Sequence, residues 1–105
     1  MKLTYYAIFD YAKDGINVSF PDVPNAFTCG FTKRHAKKMA KEVLSLTLHG
    51  TPVSDIPVAK TKKSDFSFSE KNFECIRISV HMKVKNKILF GWHVIEYSKG
   101  NINLS

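Results

Sequence analysis

Acidic residues are scarce in this sequence of 105 residues. Nine Asp and Glu stand against sixteen Lys and Arg, which gives a formal net charge of +7. Residues 60–105 carry most of the excess, with nine basic against four acidic residues, whereas residues 1–59 hold seven against five. Such a balance favours an anionic partner, most often nucleic acid, and a basic surface that is merely solvated is the alternative interpretation.

Cysteine is also scarce, and long apolar runs and a secretion signal are lacking. Cys29 and Cys75 have no close spacing and both fall in predicted strands, so we expect reduced, buried thiols rather than a disulfide or a metal site. No apolar run is long enough to span a bilayer, and no apolar stretch with a small-residue cleavage site follows the N-terminus. We therefore expect a cytoplasmic protein with no membrane partner, built as one domain with at most a short appendage.

The first third of the chain shows the alternation of antiparallel strands. Apart from Thr4, residues 3–9 are apolar or aromatic on both sides of the alternation, which predicts an interior strand covered on both faces. Residues 16–20 are apolar only at every second position, which is typical of a strand with one buried face. The Asp-Gly pair in residues 11–15 predicts a hairpin turn between the two strands.

A corner and a helix follow. The two prolines of residues 20–24 (Phe-Pro-Asp-Val-Pro) restrict the backbone and predict a turn, after which residues 26–31 form a third strand. Thr32 fits a helix N-cap, and Gly50 fits the left-handed residue that closes a helix. The residues at helical spacing on the predicted buried face are Ala36, Met39, Ala40, Val43, Leu44 and Thr47.

The predicted helix is unusually basic. Its cations are Lys33, Arg34, Lys37, Lys38 and Lys41, opposed by the single acid Glu42. Most lie in the first half, where positive charge opposes the helix macrodipole at about 0.3 to 1 kcal/mol per group. A solvated face, contact with an acidic protein and contact with phosphates remain open as interpretations, and His35 is expected to be a bystander on the same surface.

The rest of the domain is predicted to be a loop and a further strand. Residues 51–64 lack periodicity and predict a mobile connecting loop, residues 64–69 suggest a short strand, and residues 73–80 alternate as a fourth strand should. The fold class is therefore α+β: a three-stranded antiparallel meander plus a fourth strand, with one helix packed on the sheet.

The ordered motifs in the first half resemble the N-terminal domain of HicB-type antitoxins. They are Asp-Gly at 14–15, Phe-Pro-Asp-Val-Pro at 20–24 and Thr-x-Gly-x-Thr at 28–32, followed by an Ala-containing helix. The sequence departs from the family pattern at Asn25, where Gly is usual, and at residues 33–35, where Lys-Arg-His replaces an acidic opening. The resemblance implies a partial RNase H-like fold for residues 1–80.

Residues 81–105 resemble a shortened ribbon-helix-helix module of the same family. Residues 84–92 are similar to its opening strand and turn, with Gly91 in place of the usual proline, and residues 96–105 are similar to the end of its first helix and the start of its second. Trp92 and Ile95 are expected to pack on the main domain or across a dimer seam. In the predicted single strand, one face carries Val84, Ile88 and Phe90, and the other carries Lys83, Lys85 and Lys87.

The resemblance implies an antitoxin that binds a HicA-type mRNA-cleaving toxin, covers its active site and also represses its own operon. On this interpretation Asp22, Asn25 and Phe27 contact the toxin, the three tail lysines contact operator DNA, and the chain forms a homodimer or higher homo-oligomer. The positive net charge opposes this reading, because the partner of a basic toxin is expected to be acidic.

Two alternatives stay open: a basic nucleic-acid-binding dimer that uses the tail and helix lysines, and a degenerate HicB-like protein without a toxin. Catalysis is not expected. The acids considered for a two-metal site are Asp10, Asp22 and Glu42, which show no motif spacing. No cofactor or metal is predicted, and Asp22 has a simpler explanation as a cap at the proline corner.

Overall fold

The computed structural model describes residues 1–62 and 72–90. The elements there follow in the order β1 (Lys2–Ala12), β2 (Gly15–Ser19), β3 (Phe27–Gly30), helix α1 (Lys33–Leu48), a 3₁₀ turn (Val53–Asp55), β4 (Phe73–His81), β5 (Lys83–Lys85) and β6 (Ile88–Phe90). The predicted strand at 64–69 and the predicted tail helix, with Trp92 and Ile95, lie outside the described residues. None of the described helices is long and apolar enough to cross a membrane.

Four strands form one antiparallel sheet in the order β3-β2-β1-β4. The long strand β1 is interior, as its apolar sequence predicts, and pairs with β4 over nine residues and with β2 over five. This arrangement, with one helix packed on it, confirms the α+β class and the predicted meander with a fourth strand. The RNase H-like assignment stays a prediction.

One face of the sheet is buried under α1. Alternation places every second side chain of each strand on that inner face, as in Phe9 of β1 beside Val18 of β2. The outer face of β1 is only half-buried at Tyr6 and Ile8, so full cover on both faces was the wrong expectation. The buried apolar residues are Tyr5, Ala7, Phe9, Ile16, Val18, Phe20, Val23, Ala26, Ala36, Ala40, Leu44, Leu48, Ile76, Ile78, Val80, Met82 and Leu89.

The start of α1 is fixed by a cap and by close packing. The Thr32 hydroxyl accepts a bond from the His35 N–H at 3.0 Å, which confirms the predicted N-cap. Gly30 lies directly below the first turn, because a Cβ added to it would come within 2.6 Å of the Ala36 backbone. Small residues at both positions therefore let the helix approach the sheet.

The helix ends where the sequence predicts. Gly50 has φ +80°, and Leu48 is the last helical residue. The buried face is formed by Ala36, Ala40, Leu44, Ser45 and Leu48. Met39, Val43 and Thr47, expected on this face, are only half-buried.

Residues 83–90 form a hairpin, so the prediction of one continuous strand is wrong. Lys85 pairs with Ile88, and the two turn residues Asn86 and Lys87 both have positive φ, 54° and 64°. This geometry is that of a type I′ turn, which reverses the chain within two residues. Val84 consequently lies opposite Leu89 rather than sharing a face with Ile88 and Phe90.

The hairpin is joined to the end of α1 by backbone hydrogen bonds. The Gly50 N–H donates to the Leu89 carbonyl at 2.6 Å, the Leu89 N–H to the Thr51 carbonyl at 2.9 Å, and the Val53 N–H to the Lys87 carbonyl at 2.8 Å. Leu89 is fully buried in the same core cluster as the main sheet. Residues 81–90 thus pack with the preceding domain.

Residues 51–62 also make fixed contacts, although the sequence predicts a mobile loop. The Tyr5 hydroxyl donates to the Pro57 carbonyl at 2.6 Å. Farther along, Asp22 accepts bonds from the backbone N–H and the hydroxyl of Thr61, at 2.8 and 2.7 Å. This part of the segment is therefore held against the sheet and the proline corner.

Candidate interaction surfaces

The three predicted toxin-binding residues, in and just after the proline corner (residues 20–24), lie in different surroundings. Asp22 is half-buried and its two oxygens accept the bonds from Thr61, so its carboxylate holds the chain together. It does not cap the corner, which is closed instead by a backbone bond from Val23 to Phe20. Asn25 is exposed, and Phe27 is 69% exposed at the start of β3.

Strand β3 is an edge strand that has no charged residue or proline to prevent pairing with another chain. Its four residues are uncharged, and within residues 1–62 and 72–90 it pairs with β2 alone. Edge strands commonly carry lysine, proline or a bulge that prevents pairing with another chain. An exposed phenylalanine at such an edge is typical of a contact surface.

A second exposed aromatic, Phe31, lies between β3 and α1. Its side chain is 81% exposed, and its ring is stacked on the His35 imidazole with centroids 5.6 Å apart and an interplanar angle of 7°. The Phe31 backbone N–H donates to His35 Nδ1 at 3.0 Å, which fixes the two residues relative to each other. The sequence predicts His35 to be a bystander. Because Phe31 precedes the N-cap, helical spacing gives no signal for this pair.

The cations at the start of α1 adjoin one acid on β4. Lys33 Nζ lies 3.0 Å from Glu74 Oε2, and the Tyr11 hydroxyl donates to Glu74 Oε1 at 2.5 Å. The hydrogen bond from Tyr11, followed by that from Lys33, lowers the pKa of Glu74. Burial, reinforced by the bond to Glu74 and its charge, raises the pKa of Tyr11 to about 12.

The hairpin lysines form a separate basic region. Lys83 and Lys85 lie on β5, Lys87 lies in the turn, and all three are exposed. The hairpin contacts the last residues of α1, where the Phe90 ring meets His49 edge to face at 5.3 Å. The helix is about 23 Å long at 1.5 Å per residue, so Lys33 and Arg34 in its first turn lie at the end opposite to the one that the hairpin contacts.

The acids considered for catalysis lie on three different parts of the fold. Asp10 is on β1, opposite Phe73 of β4, Asp22 is bonded to Thr61, and Glu42 is on the helix. Residues 1–62 and 72–90 contain no group of three or more His, Cys, Asp or Glu residues arranged to hold a metal ion.

The cysteines differ from the expectation of two buried thiols. Cys29 is exposed on the edge strand β3, and Cys75 is half-buried on β4. Both are on the outer face of the sheet, where Cys29 pairs with Asn17 and Cys75 with Ile8. Cys29 is exposed because its side chain is on the outer face of the sheet, away from the helix.

The chain matches no model of a known protein family and no curated protein. Its class is therefore defined by its fold and surface: an α+β domain with a sheet covered on one face by a basic helix. The resemblance of its motifs to HicB-type antitoxins enters below as a proposal.

Proposed function

We propose that this chain is a HicB-like antitoxin that binds a HicA-type mRNA-cleaving toxin and covers its active site. The ordered motifs of residues 14–32 support the proposal, because they fall on the strands, corner and helix start that such a domain requires. The observation that carries it is Phe27, a large aromatic side chain 69% exposed on an uncharged edge strand. Aromatic side chains at such positions dominate the energy of many protein interfaces.

The contact surface is the end of the proline corner and the start of β3. Asn25 supplies an exposed amide that can donate and accept hydrogen bonds, and Phe27 supplies apolar area. Asp22 acts indirectly as a positioning residue, since its bonds to Thr61 hold the corner against residues 57–62. The prediction that Asp22 also contacts the toxin stays a proposal, with both of its oxygens already accepting bonds from Thr61.

The affinity of the proposed complex should have an unusual dependence on salt concentration. The chain has a net charge of +7, so it and a basic toxin repel each other at long range. The complex therefore depends on apolar and hydrogen-bonding contacts. Added salt screens that repulsion and should strengthen the complex. Binding to nucleic acid has the opposite dependence, because it releases condensed counterions.

The test is a binding titration between the purified chain and a purified HicA-type toxin, read out by calorimetry and by loss of RNA cleavage. We expect micromolar or tighter association, weakened roughly 10-fold or more by Phe27→Ala, as for a binding hot spot. Leu46→Ala is the matched control, because Leu46 is similarly exposed, at 63%, but lies on the helix. No association at micromolar concentration, or equal losses from both substitutions, would contradict the proposal.

A second candidate function is binding to duplex operator DNA through the hairpin. The observation that favours it is a two-stranded ribbon with three exposed lysines, since the major groove admits a two-stranded β-ribbon. Replacing Lys83, Lys85 and Lys87 together by Gln should abolish binding to the DNA upstream of the gene. An unchanged affinity for that DNA in an electrophoretic shift assay would exclude the hairpin.

A further inference from the structure

Strand β3 and the residue after it form an edge of the sheet that has no second neighbour among residues 1–62 and 72–90. Phe27, Cys29 and Phe31 follow at every second position of this edge, and all three are exposed. We propose that the edge, here called the β3 edge (residues 27–31), pairs antiparallel with the β3 edge of a second copy of the chain about a two-fold axis. The proposal needs no toxin and is separate from any self-association through residues 81–105.

A hollow on the outer face of the sheet joins the side chains of this edge. Its volume is about 120 Å³, and its lining includes Gly15, Asn17, Cys29 and Phe31. Asn17 pairs with Cys29 across the two strands, and Gly15 has no side chain to fill the space beside Phe31. Pockets for small molecules are usually about 300 to 1,000 Å³, so this hollow has room for one side chain only. It therefore lets an aromatic ring of an added strand pack beside Phe31.

The backbone of β3 can bond to an added strand. A Cβ built on Gly15 would lie 3.0 Å from the Gly30 carbonyl oxygen, so this carbonyl points towards β2. Hydrogen-bonded and non-hydrogen-bonded pairs alternate along an antiparallel ladder. The next pair, Asn17 with Cys29, is therefore not hydrogen-bonded, and the N–H and carbonyl of Cys29 point away from β2. The same alternation turns the N–H and carbonyl of Phe27 outwards.

The side chains of the β3 edge are self-complementary in one register. With the axis at Cys29, this residue lies opposite its own copy, and Phe27 lies opposite Phe31 of the second copy on both sides of the axis. Aromatic pairs directly opposite each other stabilise antiparallel strand pairing. The Phe31 N–H already donates to His35 Nδ1, so in this register the Phe31 carbonyl accepts from the Phe27 N–H of the second copy.

Charge favours this edge over the other edge of the sheet. Two chains of net charge +7 repel each other, so a self-association surface must hold few cations. β3 has no charged residue, and its neighbours on the outer face of β2 are Asn17 and Ser19. The opposite edge strand, β4, carries Arg77 and His81. The remaining repulsion acts at long range and is screened by salt, so added NaCl should strengthen the dimer.

The first test is sedimentation equilibrium of the full chain alone, from about 1 µM to about 1 mM, because a pairing of so few residues is expected to be weak. Phe27→Ala and Phe31→Ala should each weaken dimerisation roughly 5- to 100-fold, since each removes two aromatic pairs per dimer. The double variant should lose less than the product of the two effects, because both substitutions remove the same pairs. Leu46→Ala is the matched control, because Leu46 is 63% exposed but lies on the helix.

The second test locates the axis with a short bismaleimide cross-linker. In a Cys75→Ser chain, Cys29 is the only thiol. Hydrogen-bonded residues opposite each other have Cα atoms about 5.5 Å apart, so Cys29 should link two chains efficiently. The matched control is Leu46→Cys in a chain with Cys29→Ser and Cys75→Ser, which places an exposed thiol on the helix and should link poorly. Circular dichroism confirms that each variant is folded.

Four results would overturn the proposal. The first is a chain that stays monomeric up to about 1 mM, which is too weak an association to be specific. The second is a dimer that neither phenylalanine substitution weakens, which would place self-association elsewhere. The third is equal linkage through the thiols of the cross-linking chain and its control. The fourth is a dimer that added salt dissociates, which would identify ionic contacts. None of these bears on the antitoxin proposal, whose test is binding of a toxin.

Discussion

The two ends of α1 are held in different ways. At its start, the helix rests on Gly30 and is capped by Thr32, so steric fit and a local side-chain bond define it. At its end, the Gly50 and Val53 N–H groups donate to the hairpin and the Thr51 carbonyl accepts from the Leu89 N–H, which joins the helix end to residues more than thirty positions later in the chain. The start of the helix is defined by residues close to it in the sequence, and the end depends on pairing with residues that are distant in the sequence. Substitutions at the start should therefore act through packing, and those at the end through backbone conformation.

The largest effect is expected from Gly30→Ala. The new Cβ would meet the Cα and N of Ala36 at 2.6 Å, and backbone atoms cannot move aside easily. We expect a loss of about 3 kcal/mol in the free energy of unfolding, measured with urea. Gly50→Ala is the matched control at the other end: open space surrounds that position, so only its φ of +80° should cost about 1 kcal/mol. Equal losses would remove the distinction between the two ends.

A smaller loss is expected from Asp22→Ala, which tests the segment leading away from the helix end. The substitution leaves the Thr61 N–H without the charged acceptor now 2.8 Å away, at a cost of about 2 kcal/mol. Asp55→Ala makes the same change at an exposed position of the same segment and should alter stability by less than about 0.5 kcal/mol. If the two variants unfold alike, the Asp22 bonds do not anchor this segment.

The hairpin turn should be improved by Lys87→Gly. Lys87 has φ +64°, a conformation that glycine adopts without strain, and Asn-Gly is the preferred pair in a type I′ turn. Thermal unfolding should show a gain of about 1 kcal/mol. Lys85→Gly removes the same charge from a strand position and should instead destabilise the hairpin. A loss of stability in Lys87→Gly would show that the turn is not as described.

The smallest effect concerns pH and the Tyr11–Glu74 bond beside the helix start. Tyr11 has a pKa of about 12, above the ordinary value of 10.0. Because the raised pKa belongs to the folded protein, the stability from this group is complete below pH 10 and is lost as pH rises towards 12. The difference in unfolding free energy between the wild type and Tyr11→Phe should shrink over that interval. Tyr6→Phe, which leaves the Tyr11–Glu74 bond intact, should keep the decline that Tyr11→Phe loses.

The acid side has the opposite sign. Hydrogen bonds from Tyr11 and Lys33 lower the pKa of Glu74 below its ordinary 4.5. Its stabilising contribution is therefore present above pH 4.5 and is lost as pH falls through the lowered value. Glu74→Gln should reduce this acid sensitivity, whereas Glu42→Gln should leave it in place.

Local patterns predicted the helix and the four strands of the main sheet, and they failed at the hairpin. The alternation of residues 16–20, the Thr32 cap and Gly50 depend on near neighbours, so the sequence was sufficient for them. Residues 83–90 also alternate, and that alternation does not show that the backbone reverses at Asn86 and Lys87. Neither turn residue is glycine, which is the usual signal for such a turn. The contacts of residues 51–62 were missed because Asp22 and Tyr5, their partners, are distant in the chain.

The candidate surfaces were predictable only in part. Exposure of Phe27 follows from the edge position of β3, which depends on the strand order, and not from its apolar character. The stacked pair at Phe31 required the geometry of the helix start. The separation of the two groups of lysines required knowing where the hairpin lies on the helix.

The isolated antiparallel bridge between Pro52 and Ile88 adds to the backbone hydrogen bonds between the hairpin and the chain just after the helix. Detaching the hairpin would release the amides of Gly50, Val53 and Leu89 together and would open the region around Leu89 to solvent. These three amides should therefore exchange with deuterium at a common rate, faster than the amides of β1 and slower than exposed ones.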